Sequence, residues 1–130
     1  MQEKKSYLFL CDQSTESECL QKLLVGTTQT NSLWAVTVTA GDVIYLFNYQ
    51  TGVIRGPYVA SSGADCHDPT AWGGKFPVQI RISRTPETRQ SDNHRKDAPS
   101  FLRKRRPHHD LASNASELFS WIQQHGTPVE

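Results

Sequence analysis

The sequence predicts an α+β domain: a small curled or closed antiparallel β-barrel flanked by two or three helices. Three observations predict it. The chain has 130 residues, the size of one ordinary domain, which can build a core without disulfides or metal. Between residues 33 and 82, short strand-like segments follow one another with Gly, Asn and Asp turns between them. Helical periodicity with capping signals is confined to the regions near 15–26 and 114–126. Strands with short turns and few helices favour an antiparallel sheet with helices packed on it.

The elements follow in order. Tyr7-Leu8-Phe9-Leu10-Cys11 reads as a short buried first strand. Thr15-Glu16-Ser17-Glu18 fits a capping box, with Thr15 accepting from the first turn and Glu18 reaching back. Cys19, Leu20, Leu23 and Leu24 continue that helix, and Gly26 is expected to end it in the left-handed conformation. Trp34-Ala35-Val36-Thr37-Val38-Thr39 alternates as a half-buried strand does, and Ala40-Gly41-Asp42 turns the chain. Residues 43–49 are strongly β-prone, with Tyr45, Phe47 and Tyr49 on one face. Asn48-Tyr49-Gln50-Thr51-Gly52 turns again, and residues 53–60 return with a kink or bulge marked by Gly56-Pro57. Residues 61–75 form a Gly-, Asp- and Pro-containing loop that carries Trp72. In Phe76-Pro77-Val78-Gln79-Ile80-Arg81-Ile82 the apolar residues face one way and Gln79 and Arg81 the other. Residues 83–106 are polar and read as mobile or stretched over the surface. Asn114 and Glu117 cap a last helix with Leu118, Trp121 and Ile122 on its apolar face, closed by Gly126 and Pro128. The organisation expected is a single domain over 1–130: a core barrel at 7–83, a basic polar linker at 84–106 and a C-terminal helical segment at 107–126.

Composition excludes several classes. No stretch approaches the roughly 20 apolar residues of a membrane helix, and the N-terminal residues lack the pattern of a signal peptide. Three cysteines with no C-x-x-C pair point to reduced thiols and a cytoplasmic protein, nuclear if the source is eukaryotic. Net charge is +1 but unevenly spread. Residues 81–106 hold nine basic residues against three acids, a net +6, which leaves −5 on the rest. A basic stretch on an acidic body suits phosphate binding, and a solvated loop explains it equally well.

The motifs resemble those of the DCD (development and cell death) domain. The resemblance rests on Tyr7-Leu8-Phe9-Leu10-Cys11, Glu18-Cys19-Leu20, Leu24-Val25-Gly26-Thr27, Trp34-Ala35-Val36 and Tyr45-Leu46-Phe47-Asn48-Tyr49. It continues in the loop Asp68-Pro69-Thr70-Ala71-Trp72-Gly73-Gly74-Lys75 and the Phe-Pro-x-Gln-x-Arg motif at Phe76 to Arg81. It covers about residues 7–83; the helix motif departs at Val25 and lacks its proline, so this is a divergent member. The resemblance implies a fold like the PUA, EVE and YTH barrels, whose members bind RNA or a modified base, and a family link to stress and cell death in plants.

A base-binding pocket needs aromatic faces for stacking and a few polar groups for the base edge. The candidates are Trp34, Tyr45, Asn48 and Trp72. Each has a structural alternative: Trp72 as a plug over a barrel end, Trp34 as core or rim, Asn48 as a turn stabiliser. The candidates for the phosphate backbone are Arg81, Arg84, Arg103, Lys104, Arg105 and Arg106. Catalysis is poorly supported. Cys66-His67-Asp68 are adjacent in sequence, whereas a nucleophile and its base usually come from different elements. Cys66, His67, His108 and His109 match no zinc spacing. No cofactor and no metal is expected. The reading is a non-catalytic module that binds RNA or DNA. The rival is a protein-interaction module in stress or cell-death signalling, with a protein partner or an associated effector domain.

Overall fold

A computed structural model describes residues 5–27, 38–48, 50–63, 65, 68–74, 76, 78–92 and 115–128. Among these residues the order is β1 (Ser6–Cys11), α1 (Glu16–Lys22), β2 (Leu24–Thr27), β3 (Val43–Asn48), β4 (Val53–Ala60), a 3₁₀ turn (Ala71–Gly74), β5 (Val78–Asp92), α2 (Ala115–His125) and β6 (Thr127–Pro128). The strands form one sheet in the order β1-β3-β4-β5-β2, with the short β6 paired to β5.

The class is α+β as predicted, but the sheet is mixed and open. β1 runs parallel to β3 while every other pairing is antiparallel. The cause is connectivity: residues 12–42 carry α1 and β2 between the two strands, and a parallel pair needs such a crossover. β1 and β2, the two ends of the order, come within 8 Å of each other without forming a ladder. The sheet is therefore curled but not closed.

Each face of the curl has its own apolar core. The inner one packs Tyr7, Phe9, Ile44, Leu46, Tyr58, Ile80 and Ile82 against Cys19 of α1, Leu24 and Val25 of β2, and Trp72. The outer one packs Leu8, Tyr45, Phe47 and Ile54 under Leu118, Trp121 and Ile122 of α2. This is the face of α2 that its periodicity picks out, and each such side chain contributes about 1.5–3 kcal/mol of burial. Polar contacts fix the helix on β5: Arg89 Nε donates to Gln123 Oε1 (3.2 Å), and Gln123 Nε2 donates to the Glu87 carbonyl (2.8 Å).

Local structure departs from the sequence reading in several places. α1 ends at Lys22, with Leu23 in the left-handed region at φ 50°, and residues 24–27 form a strand. Gly26 is not the helix stop; it lies in β2 because a Cβ there would sit 2.8 Å from Trp72 Cζ3 and 2.9 Å from Phe76 Cβ. The capping box does not form. Asp12 Oδ1 instead accepts from the Ser14 and Thr15 N–H groups (2.9 and 3.0 Å), while Thr15 Oγ1 accepts from the Asp12 N–H (3.0 Å). Glu18 turns elsewhere, as described below. The strand expected at 76–82 continues to Asp92 as β5, because its polar second half pairs with β4 and buries Thr88 and Ser91. The strand expected from Trp34 to residue 37, Tyr49 of the aromatic face and the Asn114 cap lie outside the described residues.

The contact at Gly26 makes a direct prediction. Gly26→Ala should destabilise the domain by about 1–3 kcal/mol through overpacking against Trp72 and Phe76. Urea denaturation would show this as a lower midpoint with an unchanged slope.

Candidate functional site

A re-phased strand builds the site. In a regular strand, residues three apart face opposite sides of the sheet. Yet Arg55 and Tyr58 of β4 line the same cleft. The β4–β5 register shifts between Gly56 and Tyr58, so Ile54 reaches the outer core while Tyr58 and Ala60 reach the inner one. Gly56 has φ +151°, and a Cβ there would collide with the Tyr45 ring. Opposite Pro57, residues 85–88 of β5 bow out and are tied by their own hydroxyls. The Thr85 N–H donates to Thr88 Oγ1 (2.8 Å), the Glu87 N–H donates to Thr85 Oγ1 (3.1 Å), and Thr88 Oγ1 donates to the Pro57 carbonyl (2.6 Å). On either side of this excursion the ladder pairs Tyr58 with Arg84 and Arg55 with Gln90. Those four side chains share a cleft of about 460 Å³, which Leu20 of α1 and Thr127 and Pro128 of β6 also line among the described residues. Its size is that of a small-ligand site.

The electrostatics of the cleft begin in α1. Arg55 Nη1 donates to Glu16 Oε2 at 2.7 Å, and Asn48 Nδ2 donates to the same oxygen at 3.1 Å. Asn48 is 0% exposed, and its Oδ1 accepts from the N–H groups of Gln50 (2.9 Å) and Thr51 (3.2 Å). Among the described residues, Arg55 meets Glu16 through Nη1, and a guanidinium carries four further N–H donors. The Tyr58 hydroxyl and the Gln90 carboxamide have no side-chain hydrogen bond among the described residues. Burial pushes the Tyr58 phenol above its ordinary pKa, while Arg55 and Arg84 pull it down.

The structure separates the residues proposed for a base pocket. Tyr45 is 1% exposed in the outer core under α2, whereas Trp72 belongs to the inner core on the opposite face of the sheet. Trp72 is 8% exposed and sits at φ 51°, an unusual backbone for a tryptophan. Two groups on α1 and its cap hold it. Its N–H donates to Glu18 Oε2 (2.7 Å) and its indole Nε1 donates to the Thr15 carbonyl (2.9 Å). Phe76 meets it edge-on with ring centroids 5.2 Å apart. Trp72 is thus packed in the inner core, and Asn48 ties a turn to α1. Among the backbone candidates, Arg84 lines the cleft, while Arg81 is exposed at the Leu24 pairing position of β5. Trp34, Arg103, Lys104, Arg105 and Arg106 lie outside the described residues, as do Cys66, His67, His108 and His109. Sequence reasoning did not single out Arg55, Tyr58 or Gln90. The signal for the first two was present: a Gly-Pro bulge between residues three apart turns both to one face.

Comparison with known proteins places this fold. The family model of the development and cell death domain matches residues 5–95. The chain belongs to the DCD domain family. The soybean (Glycine max) DCD domain-containing protein NRP-A is 33% identical to this DCD domain over 110 residues, covering 73% of the chain and 30% of the relative. The chain thus spans about a third of that curated relative's length. Among solved structures, the MmI1 YTH domain superposes with TM-score 0.65 at 12% identity, covering 93% of this chain and 96% of that one. A complex of the YTH domain-containing protein mmi1 with RNA gives TM-score 0.51 at 11% identity, covering 98% of this chain and 71% of that one. At such identities the likeness is one of fold.

Within the DCD domain, the Phe-Pro-x-Gln-x-Arg motif is structural at its glutamine. Gln79 is 0% exposed, contrary to an outward-facing placement. Its Nε2 donates to the carbonyls of Asp68 (2.8 Å) and Phe76 (2.9 Å), and its Oε1 accepts from the Asp68 N–H (2.8 Å). These bonds fasten the loop carrying Trp72 to β5. Asp68 is further tied to α1 by Lys22 Nζ at 2.8 Å.

Two predictions test this geometry. Trp72→Phe keeps a ring in the core but orphans the Thr15 carbonyl and leaves a gap, so stability should fall by about 1–3 kcal/mol, read by thermal or urea unfolding. Burial also pushes the Cys19 thiol up to about 12 from its ordinary 9.0, and it raises Cys11 as well. The folded state keeps protons that the unfolded chain loses near pH 9.0. This contribution is fully present below that pH, and stability should decline as pH rises from there toward 12. In a Cys66→Ser background, a thiol reagent at pH 8 should label Cys11 and Cys19 only on unfolding, and fast labelling of the folded protein would contradict the buried placement.

Proposed function

We propose that this DCD domain is a non-catalytic module that binds single-stranded nucleic acid, RNA first, and that the Arg84 side of the cleft meets the strand. The observation that carries the reading is the cleft itself, where two arginines, a phenol and an amide converge on an open sheet of YTH-like shape. Guanidinium groups grip phosphate oxygens with charge-assisted bonds, and an amide can read a base edge. The mmi1 protein with this fold has been solved with RNA, which supports the same ligand class here. Trp34 is retained as the aromatic for a base, modified or not, and the basic run at Arg103, Lys104, Arg105 and Arg106 as added phosphate contacts. The buried thiols of Cys11 and Cys19, held protonated, fit a binding role and a reducing, cytoplasmic setting.

Fluorescence-anisotropy titration tests this with matched single- and double-stranded RNA and DNA, with and without methylated bases, at two salt concentrations. Single-stranded RNA should bind with an affinity that falls as salt rises. Arg84→Glu, at an exposed position, should weaken it by about tenfold or more. Trp72→Ala is a poor probe, because it removes core. No binding at low salt would overturn the proposal and leave a protein-interaction module as the working reading.

A further inference from the structure

Arg55 reaches the cleft held by a chain of contacts. Its Nη1 donates to Glu16 Oε2 at 2.7 Å, and the same oxygen accepts from Asn48 Nδ2 at 3.1 Å. Asn48 is buried and fixed in turn by the Gln50 and Thr51 N–H groups. The chain runs from a buried turn through a carboxylate to the guanidinium, so it restrains the guanidinium plane. The Arg55 side chain is 14% exposed, whereas Arg84 lines the same cleft from an exposed position. Arg55 and Gln90 stand opposite each other in the β4–β5 ladder, so their side chains leave the sheet on one side, and both line the cleft.

A planar fork of N–H donors held in one orientation selects its partner by pattern. A guanidinium has donors only and no acceptor. The Hoogsteen edge of guanine offers it two acceptors side by side, O6 and N7. The same edge of adenine pairs the N7 acceptor with the N6 amino donor, which opposes an N–H, and a pyrimidine offers one group there. A phosphate also presents paired oxygens. At the recessed Arg55, however, it would lose hydration and bring a second anion beside the Glu16 carboxylate. A neutral base edge does neither, and Leu20 and Pro128 give the cleft apolar surface for the ring.

We propose that Arg55 is a base-reading residue whose target is guanine. Its guanidinium donates to O6 and N7 of one guanine of a single strand, and Gln90 adds a neutral contact beside it. Glu16 is the positioning residue that sets the guanidinium plane. The inference rests on the nucleic-acid reading and adds a base preference to it.

The test uses the full chain and four RNA trinucleotides of equal charge, which share flanking uridines and differ in the central base: guanine, hypoxanthine, 7-deazaguanine or adenine. Dissociation constants come from NMR shift titration, with a longer single-stranded RNA as the reference ligand. The guanine probe should bind about fivefold or more tightly than the adenine probe. Hypoxanthine keeps O6 and N7 and should match guanine, while 7-deazaguanine lacks N7 and should fall toward adenine. Arg55→Gln, which keeps a donor for Glu16, should abolish the guanine preference. Glu16→Ala should shrink it, and Glu16→Gln, which keeps an oxygen acceptor for Arg55, should restore most of it. If the variants fail to fold, the four probes on the wild type still decide. Equal affinity for all four, or a loss with hypoxanthine as large as with adenine, overturns the guanine-edge reading. A preference untouched by Arg55→Gln overturns the assignment to Arg55, and one untouched by Glu16→Ala overturns the positioning role. In each of these cases the nucleic-acid reading stands while the reference RNA still binds; failure to bind that RNA removes both.

Discussion

The break in phase of β4 at Gly56-Pro57 is the constraint on which the site depends. Without it, Arg55 and Tyr58 would project from opposite faces of the sheet, and Tyr58 would be drawn to the outer face together with Ile54. With it, the same strand serves two cores and still places a guanidinium beside a phenol. The cost falls on β5, where four residues must bow out opposite one. The hydroxyls of Thr85 and Thr88 absorb that cost by satisfying the backbone groups that the ladder releases. A conformational irregularity, not a special side chain, thus creates the concavity.

The short helix α1 connects this site to the rest of the domain. Its seven residues make it a weak helix by itself, and its acids have tertiary work instead of a capping role. Glu16 reaches Arg55 and Asn48 across the sheet end. Glu18 holds the Trp72 backbone in a left-handed conformation that few tryptophans adopt. Trp72 in turn bears on Gly26, and Gln79 ties its loop to β5. The cleft wall, the Trp72 loop and the β2 edge are therefore joined by direct contacts that run through α1 and Trp72.

Much of the fold was legible before any coordinates. A short apolar run located β1, β-prone residues located β3, and the return after the Gly52 turn located β4. The Leu118, Trp121 and Ile122 stripe fixed which face of α2 is buried, and Gly56-Pro57 announced the irregularity in β4. The DCD family was legible from motifs spread over most of that region. What was misread shares one cause: polar or aromatic residues whose roles depend on distant partners. The second half of β5 looks like linker because its residues are polar, yet they pair with β4. Gln79 looks solvent-facing by alternation, yet a loop eleven residues earlier needs its amide. The Thr15–Glu18 pair has the spacing of a capping box, yet the backbone N–H groups of Asp12 and Trp72 occupy these side chains instead.

The sequence by itself determined the class, the positions of most elements, the family and the uneven placement of positive charge, because these follow from local periodicity, turn chemistry and composition. The tertiary structure alone decided that β1 and β3 are parallel and that the curl stays open. It also decided that Trp72 and Tyr45 belong to opposite cores and that Arg55, Tyr58, Arg84 and Gln90 meet. Those outcomes depend on register and crossover between segments tens of residues apart, and a period read along the chain carries no information about which strand will lie beside which.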